Sequence, residues 1–229
     1  MQKIINGMIV EYDPQDQDLV SLITNKLNGK LKTIMNFFEL KEIKDFKIKI
    51  WDNIEGYKSY LMPYLKANNE QYYDWIIQHT NDGNINILPA RIARMASKHK
   101  NITNEKIALI SCHELVHICQ SGVVEDDAEG CFWFWEGLAT NLGNPEDFCE
   151  VIIDLGEIKD INSLERITSN GNYNYAYLVV RYMLKNISHN QILKYIKNEN
   201  FLERDAENIL KNAKKFYQNF QKQNTKKIF

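Results

Sequence analysis

The spacing of apolar residues changes at Pro89, and this change limits the possible folds more than any other feature of the chain. Before it, strand-like runs alternate with helix-like ones. Phe46-Lys47-Ile48-Lys49-Ile50 alternates strictly, as a half-buried strand does. Met8-Ile9-Val10-Glu11-Tyr12 is also β-prone, and Asp13-Pro14 after it supplies an N-cap with proline at the first helical position. Leu19, Ile23, Leu27, Leu31, Ile34 and Phe38 then recur every three or four residues, which predicts a long amphipathic helix. Asn53 can cap a shorter helix ending near position 65. Positions 73–78 and 85–88 are two further β-prone runs, and the Asp82-Gly83 pair between them is a hairpin signal.

Beyond Pro89 the spacing is helical throughout. Helices are expected near 103–120, 133–142, 146–155, 173–185, 190–198 and 203–221. The predicted fold class is α+β: a small, mostly antiparallel sheet with a helix in an N-terminal lobe (about 1–121), followed by an all-helical C-terminal lobe (about 122–229), together one domain.

Composition narrows the function classes. The longest apolar run is six residues, against the roughly 20 that a bilayer span needs, so a membrane-spanning chain is not expected. The amino terminus reaches polar residues too early for a secretory signal, and Glu11 and Asp13 do not suit a transit peptide, so a cytoplasmic protein is expected. A net charge of −2 offers no global attraction for a polyanion, so nucleic acid is not an expected partner. Lys far outnumbers Arg, and Asn and Ile are abundant, which reads as an AT-rich, bacterial genome. Cys112, Cys119, Cys131 and Cys149 form no CxxC pair and are expected to be reduced thiols, mostly buried.

The chemistry concentrates at His113-Glu114-Leu115-Val116-His117, inside the helix expected over 103–120. Two histidines four residues apart lie on one helical face, one turn apart, so their ring nitrogens can converge on one metal ion. Glu114 is rotated about 100° from His113, a poor position for a third ligand but a good one for facing a water beside the ion. Glu136, 19 positions after His117, is the candidate third ligand. It follows Phe132, Trp133, Phe134 and Trp135, and a carboxylate in such apolar company needs pairing or a metal.

With Glu136 in a Glu-Gly-Leu-Ala context, this arrangement resembles the gluzincin zinc metallopeptidases, and most closely their aminopeptidase-N branch. The resemblance is dense at the zinc motif and diffuse over the rest of roughly 8–198. It implies a zincin-like fold and Zn2+ held by His113, His117 and Glu136. It also implies hydrolysis of a peptide or protein substrate, with Glu114 as general base. Tyr173, in Tyr173-Asn174-Tyr175-Ala176-Tyr177, matches the register of the phenol that steadies the oxyanion in such enzymes, with Tyr175 and Tyr177 as rivals. The strand containing Ile85 and Asn86 falls where these families place the sheet edge that receives substrate, and an ordinary core strand is the competing reading.

The chain departs from the pattern at Trp135, where the branch usually has Asn, and at Thr140, where thermolysin-like members carry an Asp that supports a zinc-bound His. The groups that orient His113 and His117 therefore stay open, as does the choice between endo- and exopeptidase. The rival reading is a catalytically silent protein that keeps the peptidase fold as a binding or regulatory module.

Overall fold

The structure, a computed structural model, describes residues 1–5, 7–43, 46–67, 72–81, 83–95, 98–124, 131–145 and 154–225. The chain divides into two compact units, Met1–Gly122 and Val123–Phe229.

In the first unit, strands β1 (Gln2–Ile5) and β2 (Met8–Glu11) form a tight hairpin, with Gly7 at φ +83°, a conformation that suits a residue without Cβ. Asp13 caps a short 3-10 turn, Pro14–Asp16, by accepting from the Gln15 N–H at 3.0 Å, and helix α1 (Gln17–Phe37) follows. Leu19, Ile23, Leu27, Ile34 and Phe38 are buried as the stripe predicts, whereas Leu31 is half-buried. Then come β3 (Lys47–Ile50), α2 (Ile54–Ala67), β4 (Gln78–Asn81), β5 (Asn84–Ile87), a single turn α3 (Ala90–Ala93) and α4 (Asn104–Ser121). α1 packs against α4. Beside α1, the side chain of Arg91 in α3 grips buried Asp16 with two of its three nitrogens, Nε on Oδ1 at 3.0 Å and a terminal nitrogen on Oδ2 at 2.9 Å.

The sheet order is β1-β2-β3-β5-β4. Its two outer pairs are antiparallel and its two inner pairs parallel, so the sheet is mixed and not mostly antiparallel as the sequence led us to expect. The reason is connectivity: α1 lies between β2 and β3, and α2 between β3 and the last hairpin, and crossover helices return the chain in the same direction. β4 and β5 form the expected hairpin, with Gly83 at φ +70° and Asn81 opposite Asn84. Its first strand begins at Gln78, where the apolar run 73–78 ends. In that run Ile76 N–H bonds back to Tyr73 O, making a turn. The polar strand Gln-His-Thr-Asn carries no apolar alternation to betray it.

The described residues of the second unit are helical: α5 (Phe132–Gly143), a 3-10 turn at Leu155–Glu157, α6 (Ile161–Ser169), α7 (Asn174–Asn186), α8 (His189–Lys197) and α9 (Glu199–Thr225). α6 was not anticipated, although Asp160 caps it by accepting from Ser163 N–H at 2.7 Å. Most of the helix expected over 146–155 lies outside the described residues, as does Cys149. Among the described residues, no helix is long and apolar enough to cross a membrane.

α4 starts at Thr103, whose hydroxyl accepts from Lys106 N–H at 3.2 Å. Thr103→Ala should lower the free energy of unfolding by about 1 kcal/mol, read as a lower urea midpoint, and Thr103→Ser should keep most of it. An unchanged midpoint in the alanine variant would show that this cap contributes nothing.

Candidate metal centre

α4 buries most of its surface, from Ile107 and Ala108 through Ser111, Cys112, Leu115 and Val116 to Cys119. Polar groups in that setting need partners. His113 and Glu114 are buried, at 6 % and 7 % exposure, and His117 is half-buried. The one-turn spacing brings His113 Nε2 and His117 Nε2 to 3.1 Å from each other. Metal–imidazole bonds of about 2.0–2.1 Å around a tetrahedral ion would place two such nitrogens about 3.3 Å apart, close to what is seen.

His117 Nδ1 lies 2.6 Å from Oε1 of buried Gln120. An amide oxygen only accepts, so in the tautomer that this contact favours Nδ1 donates to Gln120 and Nε2 keeps its lone pair for a metal. Gln120 thus answers for His117 the question that Thr140 raised. Thr140 turns its own hydroxyl to the carbonyls of Glu136 and Gly137, at 2.8 and 3.0 Å.

β4 supplies a hydrogen-bond partner for Glu114. Thr80 Oγ1 donates to Glu114 Oε2 at 2.7 Å. Two residues back, Gln78 donates from Nε2 to Ile107 O at 2.7 Å, and its Oε1 accepts from Ser111 Oγ at 3.0 Å. Tyr57 in α2 is fully buried, and its hydroxyl has no hydrogen-bond partner among the described residues. Burial first, and the Glu114 charge second, push that phenol well above its ordinary range.

Glu136 is buried on α5. The N-terminus of that helix is anchored by Glu165 of α6, whose two carboxylate oxygens accept from Phe132 N–H and Trp133 N–H, each at 3.0 Å. The residue after Glu136 must be glycine: a Cβ at Gly137 would lie 2.4 Å from Val180 Cγ2 and 2.8 Å from Ala176 O on α7. The Glu-Gly pair of the motif therefore has a packing cause as well as a chemical one.

Among the described residues one group of side chains can hold a metal ion. It consists of His113, His117 and Glu136, whose ligand atoms all lie within 4.8 Å of one another. Two imidazole nitrogens and one carboxylate oxygen form a donor set suited to a divalent transition metal. The cysteines are not in the group. Cys112 Sγ points to Ala108 O at 3.9 Å, and burial pushes the Cys119 thiol up to about 12.

Two of the three candidate tyrosines make hydroxyl hydrogen bonds within the second unit. Tyr175 donates its hydroxyl to Glu157 Oε2 at 2.6 Å, and buried Tyr177 accepts at its hydroxyl from Arg181. Tyr173, half-buried just before α7, packs its ring edge-on against Phe132, 6.4 Å between centroids. Phe132 lies one turn before Glu136, on the same face of α5.

The proposed role of Ile85 and Asn86 in receiving substrate needs correction. β5 is paired on both sides, by β3 and β4, so its backbone has no open edge, and the outermost strand on that side is β4. Ile85 is fully buried, while the Asn86 side chain accepts from Trp51 Nε1 at 3.1 Å and donates to Asn81 Oδ1 at 2.7 Å. The acidic run from Glu125 to Glu129 lies outside the described residues.

Sequence reasoning missed Gln120, Thr80 and Glu165. Gln120 was findable, because positions three apart on a helix are neighbours. Thr80 and Glu165 act across more than thirty residues of sequence, and no local signal marks them. Gln120→Leu should weaken binding of added zinc or cobalt by about 10- to 100-fold, measured by competition with a chromophoric chelator. Equal affinity in parent and variant would remove Gln120 from the site.

No protein-family model, no curated protein and no solved structure matches the chain.

Proposed function

We propose that the chain is a zinc-dependent peptide hydrolase of gluzincin type, with a zincin-like fold. One observation carries the reading: two imidazoles and the Glu136 carboxylate converge, while Glu114, adjacent in sequence to His113, is buried but stands outside that group on a hydrogen bond of its own. His113, His117 and Glu136 would hold the zinc. When bound, zinc supplies Lewis acidity, which polarises a carbonyl oxygen and makes water nucleophilic at neutral pH. Glu114 takes a proton from that water on its carboxylate and delivers it to the departing amine nitrogen, so the peptide C–N bond breaks without releasing a bare amide anion. Tyr173 can donate its phenolic proton to the oxygen that gains negative charge as the carbonyl is attacked, because a phenol stays protonated at neutral pH.

The substrate class in this reading is a peptide or protein, and the strand edge that could receive it is β4. The proposal extends to a cytoplasmic location with neither nucleic acid nor membrane as partner, in keeping with the net charge of −2.

A peptide-library digest followed by mass spectrometry tests the activity. The zinc-loaded parent should cleave. Glu114→Gln should bind zinc as the parent does and lose about 100-fold or more of its rate. Glu136→Ala should lose zinc affinity by orders of magnitude. Equal cleavage by parent and Glu114→Gln would contradict the mechanism. Zinc binding without cleavage in the parent would favour the silent, binding-module reading.

A further inference from the structure

Strand β4 is polar for a reason that reaches into the site. Positions 78 and 80 share one face of the strand, because side chains alternate. They meet positions 107, 111 and 114 of α4, which share one face of the helix, because three or four residues make a turn. Gln78 joins strand to helix through Ile107 O and Ser111 Oγ, and Thr80 adds the next rung at Glu114.

We infer that Thr80 is the positioning residue for Glu114, committing carboxylate oxygen Oε2 and leaving Oε1 as the atom that accepts a proton. The inference rests on the hydrolytic reading above. A threonine hydroxyl has one proton to give. Its contact with Glu114 Oε2 at 2.7 Å is far closer than its contact with Glu114 O at 3.3 Å, so the proton goes to the carboxylate.

Threonine suits the task. Its β-branch stiffens χ1, and its backbone is fixed by pairing with Ile85, so the hydroxyl is a nearly immobile point. A glutamate without such an anchor turns easily, since its terminal torsion is broad. A carboxylate beside two imidazoles would also be drawn into the coordination of any ion they bind. Holding Oε2 by a neutral donor prevents both without placing a second charge next to the base.

The test uses Thr80→Val, which keeps the shape and removes the donor, and Thr80→Ser, which keeps the donor. In zinc-loaded protein, Thr80→Val should lower kcat on a cleaved library peptide by about 10- to 100-fold, with KM and zinc affinity close to the parent and a lower melting temperature, because buried Glu114 loses its donor. Thr80→Ser should recover most of the loss. Crystal structures of the zinc-loaded forms should show Glu114 in one rotamer on the parent hydroxyl, and turned or split in Thr80→Val. Parental kcat in the valine variant overturns the inference, and so does equal slowing in valine and serine, which would assign the effect to packing. If the zinc-loaded parent cleaves nothing, the hydrolytic reading fails first. The crystal structures then decide, and a Glu114 carboxylate that stays in place without the Thr80 hydroxyl overturns the positioning role.

Discussion

The seam between β4 and α4 is the constraint on which the first unit's chemistry depends. α4 carries Ser111, His113, Glu114 and Gln120 in buried positions. A buried polar group left without a partner costs about 1–3 kcal/mol, so a helix of this composition cannot be buried against an apolar strand. Gln78 and Thr80 make burial possible by supplying donors and acceptors at the heights where α4 needs them. The same contacts set the helix register and thereby the direction in which the Glu114 carboxylate points. Stability and positioning are here one set of hydrogen bonds, and the strand gives up apolar side chains to provide them.

Glu136 in the second unit obeys the same logic by other means. A carboxylate on an aromatic-rich helix needs that helix fixed at both depth and end. Glu165 anchors the end through two backbone N–H groups, and the missing Cβ of Gly137 sets the depth against α7. Burial pushes the Glu165 carboxyl up while its two N–H partners pull it down, so the anchor itself is a compromise between desolvation and hydrogen bonding.

What could be read from the sequence follows from range. The His113–His117 pair, the long α1 stripe, the alternation of β3 and the Asp-Gly turn are written within a few residues, and local geometry suffices to interpret them. The parallel strand pairs were not legible as such, because pairing direction follows from where α1 and α2 return the chain. β4 was misplaced because its side chains answer to α4 and to hydrogen bonding, whereas apolar alternation records burial alone. The substrate edge was assigned to Ile85 and Asn86 for the same reason. Their strand has the apolar pattern expected of a sheet interior, and it lies there, between β3 and β4. Thr80 and Glu165 are single polar residues whose partners are distant in sequence, and nothing beside them announces the contact.

The proposed metal centre consists of two imidazoles and one carboxylate, with Glu114 outside it. Anomalous diffraction at the zinc edge, on crystals of the zinc-loaded protein, tests this most directly. One strong peak is expected, bonded to Nε2 of His113, Nε2 of His117 and a carboxylate oxygen of Glu136, with Glu114 outside bonding distance. A peak coordinated by Glu114, a peak without Glu136, or no peak near His113 and His117 would contradict it.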